Sequence, residues 1–269
     1  MLKKLCRWSG YMKKSQNKLL YGLIGVLMAM PIGMVISSLV ISNLGMGILD
    51  PCTILTSYVV MFGFVLFIAI IMHKGTGISI PRLLPNFSRF YSTEVIYGVV
   101  LILAWNIVVT PLGEYIPDFG NNQTESIVQS GVYSVITAIV IAPFIEEFLF
   151  RGIFQNNFRK VFGPFWAIII AAAIFALSHI YPLQVLTAFG AGLILGAIYS
   201  KTQSLSAVVL IHVIYNGLIY CLYIVTPKGT DDILLELIPS DTFRWLIWGV
   251  SLMLLVGSAF CFFRKDSQK

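Results

Sequence analysis

The sequence predicts an all-α membrane protein: a polytopic helix bundle of about eight transmembrane helices, with both termini cytoplasmic. Three observations predict it. Of the 269 residues, 58% are hydrophobic and only 11% are charged, against about 45–50% and about 25% in a soluble domain. The charges leave uninterrupted stretches of roughly 20 residues, the length a spanning helix needs. The basic residues collect in alternate connections. So few charges cannot cover the surface of a soluble enzyme, and the hydrophobicity excludes disorder.

The first span fits at 19–42, since no Asp, Glu, Lys or Arg occurs between Lys18 and Asp50. Its apolar run exceeds the roughly 7–15 residues of a cleaved signal and reads as an anchor. A second span fits between Asp50 and His73, a third between Glu94 and Glu114, and a fourth from Ser126 to Ile145. The stretch from Val161 to Ser200 is too long for one span and breaks at Tyr181-Pro182. It reads as two short helices, 163–180 and 183–200. A seventh span fits at 204–226 and an eighth at 243–263. The chain then divides into residues 1–125 with three spans, 126–226 with four polar-motif helices, and 227–269 with an outer loop and the last span.

With both termini inside, all 18 basic residues except Lys228 and Arg244 fall on the cytoplasmic side, as the positive-inside rule expects. An odd number of spans would break that alternation. The segment from His73 to Glu94, with Lys74, Arg82 and Arg89, reads as an interfacial cytoplasmic connection. Asn122-Gln123-Thr124 is a formal glycosylation sequon in an outer loop. Cys6, Cys52, Cys221 and Cys261 show no metal or redox spacing and read as small apolar residues.

The charges inside apolar sequence carry the functional argument. Glu146 and Glu147 end the fourth apolar run, and the chain stays apolar through Phe148, Leu149 and Phe150 to Arg151. A carboxylate at the centre of a membrane helix costs about 2.5–3.5 kcal/mol on insertion scales. Glu147 and Arg151 stand at i and i+4 with the acid first, the favourable order for a helical ion pair. Glu146 is turned about 100° away and is left for chemistry. Pro143 is expected to kink the helix beside it.

His179 follows Phe175 by four residues, and Asn216 follows His212 by four, so each pair shares a helix face. Glu146 and His179 lie 17 residues before and 16 after Gly163, the expected hairpin turn. At about 1.5 Å per residue both stand some 24–26 Å from the turn. This needs the fourth helix to continue beyond Arg151. A Glu, two His and an Asn around water suit hydrolysis. Glu146 would take a proton from water, and His179 would share that work or orient the water. His212 and Asn216 would donate to the oxyanion of a tetrahedral intermediate. An alternative uses the same atoms: His179, His212 and Glu146 as a zinc site with an open water position. No HExxH motif is present.

Glu146-Glu147-Phe148-Leu149-Phe150-Arg151 matches an EExxxR motif, Phe175 to His179 an FxxxH motif, and His212 to Asn216 an HxxxN motif. In this order they resemble the CAAX protease and bacteriocin-processing family, also called CPBP or Abi. The resemblance spans Ser126 to Tyr220. It implies an intramembrane endopeptidase in which Glu146 and His179 activate water and His212 with Asn216 stabilises the oxyanion. Glu147, Arg151 and Phe175 are then structural residues of the site. Family members are described both as metalloproteases and as metal-independent glutamate peptidases. The implied substrates are CAAX-type proteins or maturing peptides such as bacteriocins. The implied partners are membrane lipids and a membrane-associated peptide or protein, with no nucleic acid. The implied location is a bacterial plasma membrane. Two other classes compete. A non-catalytic immunity or scaffold protein would bind a peptide in the same groove. An ion-coupled transporter would also need intramembrane ionisable residues, but no inverted repeat is evident.

Overall fold

A computed structural model of the protein describes residues 2–47, 50–81, 92–116, 127–179, 181–225 and 241–266. Among these residues the chain is helical, with no strand. The Arg82 and Arg89 connection, the Asn122-Gln123-Thr124 sequon and the loop with Lys228, Asp231, Asp232 and Glu236 lie outside the described residues.

Among the described residues, seven long helical runs order the fold: α1 Leu2–Asn43, α2 Thr53–Thr76, α3 Ser92–Val109, α4 Val132–Leu177, α5 Pro182–Thr202, α6 Leu205–Val225 and α7 Asp241–Asp266. Each contains a stretch long and apolar enough to cross a membrane. Many of their large apolar side chains are exposed, among them Met28 and Leu39 of α1 and Phe67 and Ile71 of α2. In a bilayer such faces meet acyl chains at no cost, so the protein is a multi-pass membrane helix bundle.

The helix ends follow local chemistry. Before Pro111 the α conformation is disfavoured, and α3 passes at Thr110 into a 3₁₀ turn, Thr110–Tyr115. Pro182 opens α5 with Tyr181 extended at ψ 131°, because proline's fixed φ suits the first helical turn. The expected Tyr181-Pro182 break is there.

The count of spans differs from the sequence reading. The expected fourth and fifth helices form one run of 46 residues, α4. It is interrupted at Gly163, whose φ of 81° and ψ of 171° belong to a region open essentially to glycine alone. The segment 164–177 is only about 21 Å long at roughly 1.5 Å per residue, short of the roughly 30 Å hydrocarbon core. Among the described residues, seven runs therefore qualify, beside the about eight expected. Taken separately, the two arms of α4 restore the eight apolar segments. The first arm continues past Arg151 to Phe162, as the hairpin reading requires.

The chain forms two compact units, Met1–Pro85 with Ile127–Ala171, and Asn86–Ser126 with Ala172–Lys269. In the first, α1 packs along α2, burying Leu23 and Val26 of α1 and Phe62, Val65 and Ala69 of α2. In the second, α3, α5 and α6 share a core of Val99, Ile102, Leu195, Ile198, Val208 and Ile211. Its polar groups are satisfied across helices: Trp105 Nε1 donates to the Leu186 carbonyl at 3.2 Å, and Trp248 Nε1 to that of Val108 at 3.1 Å.

Gly190 lies against the Trp105 indole so closely that a Cβ there would stand 2.0 Å from the ring. Gly190→Ala therefore forces the α3–α5 contact apart, at a cost of about 1–3 kcal/mol for overpacking. Thermal unfolding in detergent should show a lowered Tm. An unchanged Tm would contradict this packing.

Candidate active site

In the first unit the polar residues lie where α4 departs from regular α geometry. Val132–Ile136 is α-helical, Thr137–Ile141 is a π turn, Ala142–Glu147 is α-helical and Phe148–Gln155 is again π. Pro143 has no N–H, and its ring would strike the carbonyl four residues back in a regular helix. The wider π turn immediately before it makes room, so the disturbance expected at Pro143 takes this form. π segments are rare and recur at functional sites.

The ion pair predicted by the i, i+4 spacing is present. Arg151 Nη1 lies 3.1 Å from Glu147 Oε1, with the side chains 1% and 0% exposed. Glu146, 8% exposed, accepts a hydrogen bond on Oε1 from the Tyr58 hydroxyl of α2 at 2.8 Å. The Tyr58 ring is held in turn by stacking on Phe62, with centroids 5.4 Å apart. A cavity of about 150 Å³ opens beside this contact, lined by Tyr58, Phe62, Leu66, Phe144, Phe148 and Leu149.

Asn157, fully buried, was not singled out from sequence. Its Nδ2 donates to the Ser79 carbonyl at 2.8 Å and to the Ile153 carbonyl at 2.7 Å, while Ser79 N donates to its Oδ1 at 2.8 Å. The amide thus bonds both backbone groups of Ser79 and pins the residues after α2 onto α4. The run Gln155-Asn156-Asn157 inside apolar sequence was the available signal.

In the second unit, Phe175 organises both histidines. The helix ends at Leu177, and its last carbonyls need partners. That of Phe175 accepts the Ser178 hydroxyl at 2.6 Å and His179 Nδ1 at 2.9 Å. A carbonyl only accepts, so Nδ1 carries the proton, and in the neutral ring Nε2 keeps its lone pair. The Phe175 ring meets His179 edge-on at 4.9 Å and His212 of α6 edge-on at 6.0 Å. His212 is buried. Asn216 stands one turn further along α6 and is half-buried. Beside it, the Tyr215 hydroxyl donates to Asn106 Oδ1 of α3 at 3.1 Å.

Glu146, Glu147 and Arg151 thus gather in the first unit, and Phe175, His179, His212 and Asn216 in the second. Among the described residues, no three His, Cys, Asp or Glu side chains are grouped to hold a metal ion.

A buried carboxylate pair and a pair of histidines on membrane helices define a membrane protein with ionisable side chains set within its apolar helices. Residues 128–218, about a third of the 269-residue chain, match the family model described as type II CAAX prenyl endopeptidase Rce1-like. The matched segment is similar to that family and contains every motif residue from Glu146 to Asn216. No curated protein and no solved structure matches the chain.

Proposed function

We propose that this protein is an intramembrane endopeptidase that hydrolyses a peptide bond of a membrane-associated peptide or protein. The observation that carries the reading is the family match over 128–218, which encloses the complete set Glu146, Glu147, Arg151, Phe175, His179, His212 and Asn216. Glu146 takes a proton from water, and the hydroxide adds to the scissile carbonyl carbon. His179, with its Nε2 lone pair, orients that water. His212 and Asn216 donate to the oxyanion as it forms. Collapse expels the amine, which takes the proton back from Glu146. Glu147 and Arg151 hold the helix that presents Glu146. The substrate is a CAAX-type protein or a maturing peptide such as a bacteriocin, and the setting is a bacterial plasma membrane.

The test is cleavage of quenched prenylated CAAX peptides and bacteriocin-type precursors by the purified protein in proteoliposomes. Wild type should cut, and His179→Ala should not. Binding without cleavage by wild type would replace the peptidase with a scaffold. Activity that survives thorough metal removal supports glutamate chemistry. Activity lost to a chelator and restored by zinc would instead assign Glu146, His179 and His212 to a metal.

A further inference from the structure

We infer that Tyr58 is a positioning residue for Glu146, an inference that rests on the proposed role of Glu146 as the general base. The residue is 88 positions away in sequence and on a different helix, outside the segment that carries the family match. Its hydroxyl donates to Glu146 Oε1 at 2.8 Å.

A carboxylate on three rotatable bonds can turn either oxygen toward a reactant. A donor fixed on Oε1 selects one orientation of the carboxylate plane and directs Oε2 elsewhere. The donor is itself fixed, because the Tyr58 ring stacks on Phe62 at an interplanar angle of 20°. The setting strengthens the contact. The adjoining cavity wall is Phe62, Leu66, Phe144, Phe148 and Leu149, and apolar surroundings make a hydrogen bond to a charge count for more. Tyr58 does not touch substrate in this scheme. It acts through Glu146.

Tyr58→Phe removes the hydroxyl and keeps the ring that stacks on Phe62. With a quenched farnesylated CAAX peptide, kcat should fall about tenfold at unchanged KM, the scale of one charge-assisted hydrogen bond. In a Glu146→Gln background the same change should do nothing further. A second measurement needs no substrate. Dicyclohexylcarbodiimide modifies carboxyls in apolar surroundings, a carboxyl released from a fixed hydrogen bond is freer to react, and peptide mass mapping locates the adduct. Labelling at Glu146 should accelerate several-fold in Tyr58→Phe and vanish in Glu146→Gln. Should Tyr58→Phe not fold, Tyr58→Leu carries the same expectations.

A kcat within about twofold of wild type overturns the inference. If the peptide is not cut by wild type, an unchanged labelling rate overturns it. The two ideas fail separately. Full activity in Glu146→Gln removes the proposed base, whereas an inactive Glu146→Gln beside an unaffected Tyr58→Phe removes only the role of Tyr58.

Discussion

Glu146→Gln yields a folded protein that has lost about 10²–10⁴ of its kcat, the range a positioned general base contributes. The amide keeps the shape of the side chain and still accepts from Tyr58 through its oxygen, so the buried hydroxyl keeps a partner. What the amide cannot do is take a proton from water. The side chain is 8% exposed, and a neutral group in that position is cheaper to bury than a carboxylate. Stability should therefore hold or rise while activity disappears. The pair of measurements is peptide cleavage and thermal unfolding on the same detergent-purified sample. Wild-type turnover by Glu146→Gln would refute the assignment. A protein that lost its fold would show that Glu146 is structural.

Arg151→Leu should do the reverse and strongly weaken the fold. Its guanidinium is 1% exposed and 3.1 Å from a Glu147 that is 0% exposed. Removing one partner of a buried pair leaves an uncompensated charge, at a cost of about 3–5 kcal/mol. That is a large part of the roughly 5–15 kcal/mol that separates folded from unfolded soluble domains. The double variant Glu147→Leu/Arg151→Leu removes both charges together, and it should recover much of the lost Tm, because apolar replacement of a buried pair is often neutral. Size-exclusion elution and Tm of the three proteins check this. A single Arg151→Leu as stable as wild type would show that the pair does not hold α4.

The features legible in advance share one property: each is set within a few residues of chain. The Glu147–Arg151 pair follows from i, i+4 spacing along a helix. The break at Gly163 and the start of α5 at Pro182 follow from backbone chemistry at single residues. The number of spans was less legible, because an apolar stretch does not say where one helix stops being continuous. The sequence reading ended the apolar span at Ile145 but required the helix to continue beyond Arg151. The structure carries helix through the charges to Phe162, with Glu147 and Arg151 paired on it.

Contacts between helices were not legible. Tyr58 reads in sequence as one aromatic in an apolar span, and only the rotation of α2 against α4 brings its hydroxyl to Glu146. Asn157 and Ser79 meet across 78 residues for the same reason. Phe175 was visible as a motif letter, but its edge-on contact to His212 depends on where α6 lies. The π segments around Pro143 and Arg151 change the helical register itself, which a fixed 3.6-residue period does not foresee.

By itself, then, the sequence determined a membrane bundle and the few ionisable residues placed inside it, because composition and spacing act locally and the charge penalty in lipid is large. Only the tertiary structure decided the partners that lie on other helices, such as Tyr58 for Glu146. Membrane helices are apolar on most faces, so lipid exposes them without preference. Close packing and a handful of hydrogen bonds choose how each helix is rotated.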